Sequence, residues 1–133
     1  MPLFVGLGCR RGCPGQTLGN LLEQALKAHD LPLTAVAGLA SIDLKRDEPG
    51  LQHLARQLNV PLLFFSAAQL APFEPHLSHR SAVAHQNSGC YGVAESAALA
   101  LAEQFTGSAH LKITRTLCAE ASLALATAAE SGR

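Results

Sequence analysis

"FVGLGCRRGCPGQTL", residues 4–18, is the stretch from which the rest of the chain can be read. Residues 3–8 are short, apolar and ended by glycine, as a buried strand is. From Pro14 the period changes. Leu18, Leu21, Leu22, Ala25 and Leu26 fall on one face of a helix, with Pro14 suited to its first turn. Between strand and helix lies Gly8-Cys9-Arg10-Arg11-Gly12. Three readings of this loop stay open on spacing alone: a dinucleotide-type phosphate loop, a tight turn with solvated arginines, or a carboxylate site using the forked arginine donors. The glycine step departs from G-x-G-x-x-G, and Pro14 removes an amide donor, so the phosphate reading is the distant one.

The same alternation continues downstream. Residues 35–42 are a second apolar strand, and Leu51, Leu54, Ala55 and Leu58 form the inner face of a second helix, capped by Asp47 or Glu48. Leu62–Phe65 are a third strand, and Ser66-x-x-Gln69 is a capping box. A parallel sheet covered on both faces is expected, with right-handed crossovers. Residues 72–92, rich in proline and histidine, read as a long connection with a helical turn or two near 78–85. An Ala/Leu-rich, well-buried helix follows over about 92–105. Residues 111–117 alternate with period 2, and 121–128 supply a hairpin partner. The expected fold is a three-layer α/β sandwich, mostly parallel, with a C-terminal antiparallel hairpin. No repeat or linker divides residues 1–133, which read as one domain.

Composition narrows the function classes. The chain has 133 residues, 48% of them hydrophobic, enough for a real core. Ten basic and ten acidic residues cancel, which argues against a broad nucleic-acid or anionic-lipid surface. No apolar run reaches the roughly 20 residues of a membrane span, and no signal-peptide pattern is present. A cytoplasmic location is expected. Cys9, Cys13, Cys90 and Cys118 are scattered and lack zinc spacing, so free thiols are expected.

Ligands of open α/β sheets bind beyond the C-terminal strand ends. There the sequence delivers the Gly8–Gly12 loop, then Ser41, Asp43 and Lys45, then Ser66. If residues 43–45 stay extended, Asp43 and Lys45 point the same way, as an acid/base pair or as ligand contacts. The alternative is a cap and a surface ion pair. Glu95 suits the first turn of its helix, or an acid bordering the cleft. His76, His79 and His85 lack the spacing of a metal site and read first as solvated loop residues.

Together, "VGLGCRRG", "ASIDLKRDEPGL", "PLLFFSAAQL" and "GVAESAAL" resemble the C-terminal domain of the cobalamin-biosynthesis protein CbiG, in its stand-alone form, over nearly the whole chain. The family motifs fall on Gly6, Gly8, Cys9, Arg10, Arg11 and Gly12, on Asp43, Lys45 and Glu48, on Phe65 and Ser66, and on Val93, Glu95 and Ala97. The resemblance implies an α/β domain acting in corrin-ring synthesis. In full-length CbiG the associated activity opens a lactone on a cobalt-precorrin and releases a two-carbon fragment. The resemblance covers only the C-terminal domain of CbiG, so the whole activity is not expected to carry over, and after Gly12 the sequence reads Cys-Pro-Gly-Gln where the family usually has a Ser/Thr cap and acidic residues.

The resemblance gives the loop its ligand class, because precorrins are macrocycles fringed with carboxylates. The expected ligand is a precorrin or corrinoid, held by Gly8, Cys9, Arg10, Arg11, Gly12, Lys45 and Ser66, with other pathway enzymes as possible partners. Asp43 and Glu95 are the catalytic candidates if the domain is a lactone hydrolase rather than a carrier. No cofactor or metal of the protein's own is expected. His76, His79 or His85 could reach the cobalt of a bound ring.

Overall fold

Among the described residues nine regular elements follow from the alternating patterns, interleaved with short 3-10 turns. The structure is a computed structural model, and it describes residues 2–77 and 92–128. In chain order the elements are β1 (Leu3–Cys9), α1 (Gly15–Ala28), β2 (Val36–Ile42), α2 (Pro49–Leu58), β3 (Leu62–Phe65), α3 (Ala67–Leu70), α4 (Val93–Thr106), β4 (His110–Leu117) and β5 (Ala121–Thr127). The sheet order is β3-β2-β1-β5-β4. β1, β2 and β3 pair in parallel, while β5 pairs antiparallel with both β1 and β4. β4 therefore runs in the same direction as β1, and the expected mixed three-layer sandwich is the observed one.

α1 and α2 cover one face. Leu18, Leu21, Leu22, Ala25 and Leu26 are buried, as their period requires, against Leu3, Val5 and Leu7 of β1. Each such leucine contributes about 1.5–3 kcal/mol by leaving water. Pro14 is the cap of α1 rather than part of its first turn. Its carbonyl accepts from the Thr17 and Leu18 amides.

α4 covers the other face. Every residue from Ala94 to Ala102 is buried, because the helix lies between the sheet and a strap containing Leu70 and Phe73. A helix apolar on all sides requires such cover. Small side chains let it come close. A Cβ on Gly6 would overlap the Ala94 carbonyl oxygen, so this residue must be glycine for α4 to sit on β1. Phe4 meets Phe105 edge to face, with ring centroids 5.6 Å apart.

β4 departs from the simple alternation expected of it. Ile113 pairs with Leu125 and Thr116 with Leu123, so two residues, Thr114 and Arg115, oppose Ala124 alone. A second extra residue falls between Leu111 and Ile113. Each bulge moves the side chains that follow it to the opposite face. Leu111 accordingly packs with the α4 cluster, Ile113 with the α1 cluster, and Leu117 pairs with Ser122 on the α4 side.

Candidate functional site

At the C-terminal ends of β1 and β2, a cleft of about 520 Å³ opens between the sheet and the start of α4. That volume lies within the range of small-molecule sites. Gly8, Cys9, Arg10 and Arg11 form one wall, and Ile42, Leu44 and Lys45 a second. Arg115, Leu117 and Ser122 come from the hairpin, and Gly92, Val93 and Ala94 from the head of α4. Four cations thus share the cleft, and no carboxylate-bearing residue lines it among the described residues. Leu44 and Leu117, 65% and 59% exposed, give it apolar lips.

The loop Arg10–Gly12 is rigidly held. The Arg10 amide donates to the Glu120 carbonyl at 2.9 Å, and the Cys13 amide to the Arg10 carbonyl at 3.1 Å. The Gly12 amide donates to both carboxylate oxygens of Glu48, each at 3.0 Å. Gly12 has φ +79°, the left-handed conformation that favours glycine. Glu48 stands at the cap position of α2, but its side chain makes no cap bond there. It crosses to the loop instead, which corrects the capping role expected of it. With these amides engaged and Pro14 lacking one, little of the backbone cradle of a phosphate loop remains. Gly8 also has a different role from backbone approach to a phosphate: a Cβ there would come within 2.8 Å of the Ser122 hydroxyl. The side chains of Arg10 and Arg11 are both exposed.

Cys9 is half-buried in the wall. Burial pushes its thiol up to about 11 against the opposing pull of Lys45, and burial likewise raises Cys13. Both thiols therefore stay protonated at neutral pH. Cys118 is exposed, and all three are free.

Other expected residues sit elsewhere. Asp43–Lys45 is a 3-10 turn closed by the Arg46 amide on the Asp43 carbonyl at 3.1 Å, not an extended segment. Successive residues of such a turn rotate by about 120°, so Asp43 and Lys45 diverge. Lys45 lines the cleft and Asp43 does not. Ser41 is buried, with its hydroxyl on the Leu7 carbonyl at 2.7 Å. Ser66 follows β3 at the far edge of the sheet and is not part of the cleft. Its hydroxyl accepts from the Gln69 amide at 3.1 Å while the Gln69 side chain accepts from the Ser66 amide, the expected capping box. Gly12 lies behind the cleft wall, beside the starts of α1 and α2. Glu95 is buried in α4, where Oε2 accepts from the Arg115 amide at 2.8 Å. His76 lines a separate hollow with His110 and Glu103, and His79 and His85 lie outside the described residues. Among the described residues no three His, Cys, Asp or Glu side chains, those of this hollow included, come close enough to hold a metal ion.

Arg115, Leu117 and Ser122 were not anticipated. Because β4 runs with β1, its C-terminal end reaches the same rim, so the strand-end rule applied to the hairpin points to them.

The chain matches the cobalamin synthesis G C-terminus family over residues 3–126. It belongs to that family. Protein CobE of Sinorhizobium sp is 34% identical over 124 residues, covering 93% of this chain and 79% of that protein. The solved structure of CobE, described as a protein of the cobalamin (vitamin B12) biosynthetic pathway, superposes with a TM-score of 0.90 at 48% identity, over 94% of this chain and 89% of that one. The cobalt-precorrin-5A hydrolase of Salmonella typhimurium is 40% identical over 74 residues, which is 56% of this chain but only 21% of the hydrolase. Membership of this family makes the chain a cobalamin-biosynthesis domain. None of its described helices is long and apolar enough to cross a membrane.

Proposed function

We propose that this domain binds a precorrin or corrinoid intermediate in the cleft and serves as a carrier or accessory to ring-modifying steps. The observation that carries this reading is the grouping of Arg10, Arg11, Lys45 and Arg115, without an acid among the described residues, around an apolar-lipped cleft. A corrin ring is a broad apolar plane with carboxylates on its edge. The leucines at positions 44 and 117 suit the plane, and the guanidinium groups suit the edge. A neutral chain then needs no global basic surface.

A second reading, opening of a precorrin lactone with loss of a two-carbon fragment, is favoured by the match to the cobalt-precorrin-5A hydrolase. The cleft supports it less. Asp43 is outside the lining, and Glu95 already accepts a backbone N–H.

Titration of the purified chain with cobyrinic acid, followed by absorbance, tests binding. The free acid should bind, with affinity falling as salt rises. Its methyl ester should bind far more weakly. Arg10→Ala and Arg11→Ala should each weaken binding by about five- to tenfold, as loss of a charge-assisted contact does. Ester and acid binding equally well would refute the carboxylate reading. Release of acetaldehyde from a lactone-bearing cobalt-precorrin would favour the hydrolase.

A further inference from the structure

Two carboxylates are buried among the described residues, Glu48 and Glu95. Glu48 holds the Arg10–Gly12 wall through the Gly12 amide. Glu95 stands behind the opposite wall. It is 1% exposed, in the first turn of α4, and its Oε2 accepts from the Arg115 amide at 2.8 Å.

That amide belongs to the bulge. Thr114 and Arg115 share the single partner position Ala124, so the ladder does not give each N–H a partner. The bulge also decides what faces the cleft. Were β4 regular from Ile113 onward, Ile113, Arg115 and Leu117 would share one face, that of α1. With the extra residue, Leu117 pairs with Ser122 on the cleft side, and Arg115 lines the cleft beside Val93 and Ala94.

The geometry points to Glu95 as a positioning residue: by bonding the Arg115 amide it fixes the bulge that turns Arg115 and Leu117 into the cleft. It is not an acid acting on the ligand. This inference rests on the corrinoid-binding reading of the cleft for its functional readout, while the geometric part can be read without a ligand.

The test is a double-mutant cycle on the full chain, with cobyrinic acid as the probe. Glu95→Ala should weaken binding by about the same factor as Arg115→Ala, on the order of tenfold, and the double variant should be no weaker than either alone. Glu95→Gln keeps an acceptor oxygen and should retain most of the affinity. Losses that simply multiply in the double variant, as a general loss of stability or an independent role of Glu95 would produce, overturn the proposal.

A second measurement needs no ligand. In the proton–nitrogen spectrum the Arg115 amide proton should lie downfield, as a bond to a carboxylate places it, and Glu95→Gln should move it upfield. An Arg115 resonance indifferent to Glu95→Gln overturns the proposal even where Glu95→Ala fails to fold. If the wild-type chain ignores cobyrinic acid but the amide responds, the corrinoid reading fails while the positioning of Arg115 is supported.

Discussion

The two faces of the sheet are packed by opposite strategies. On the α1 and α2 side, two amphipathic helices press leucines into the strands and show polar faces outward. On the α4 side, alanines and Gly6 let one helix lie almost on the backbone of β1. The leucine face supplies burial, whereas the alanine face supplies proximity. That proximity brings Val93, Ala94 and Glu95 up to the strand ends and gives the cleft its inner wall.

Glycine substitutions should separate the faces most sharply. Gly6→Val drives a side chain into the α4 backbone and should cost about 3 kcal/mol or more, measured by urea unfolding. Gly19→Ala, on α1, meets only the Leu54 Cδ1 at 3.6 Å and should be neutral or stabilise by up to about 1 kcal/mol. Equal losses at the two sites would break the contrast.

A smaller effect is expected at Glu48. Glu48→Ala leaves the Gly12 amide without its acceptor and should cost about 1–3 kcal/mol in the same unfolding assay. It should also loosen the arginine wall, so cobyrinic acid affinity should fall even though Glu48 does not line the cleft.

The smallest effect is a pH dependence. The Cys9 thiol is raised from 9.0 to about 11, so the folded chain keeps a proton that the unfolded chain releases. Stability from this source is complete below pH 9 and is lost as pH rises from 9 toward 11. Cys9→Ser, which does not titrate there, should flatten that part of the stability profile. A profile unchanged by the substitution would show that the thiol is not desolvated.

The sequence made much of this fold legible. Leu18 to Leu26 repeat at helical spacing, Ser66 and Gln69 sit at capping-box spacing, and both features stand in the structure. The arginine loop was legible too, because a strand must end before a helix begins. The β4 bulges were not. Leu111, Ile113 and Leu117 have the parity of a regular strand, and Lys112, Thr114 and Arg115 are polar whichever face they take. The bond from Glu48 to Gly12 spans 36 positions, and capping logic reads only neighbours. The turn at Asp43–Lys45 is likewise set by a backbone hydrogen bond, with no residue-type signal to announce it.

The bulges have one more consequence, for how the chain behaves among other chains. Among the described residues β4 is an outer strand of the sheet, eight residues long, with one side of its backbone unpaired in the sheet. A regular strand of that length is a template for a stranger's strand to zip onto. Here an incoming strand would lose register twice along β4, and it meets charged Lys112 and Arg115 on the way. The irregularity that lets an arginine line the cleft also disfavours pairing of this edge with another strand. At the other edge, β3 achieves the same protection by being only four residues long.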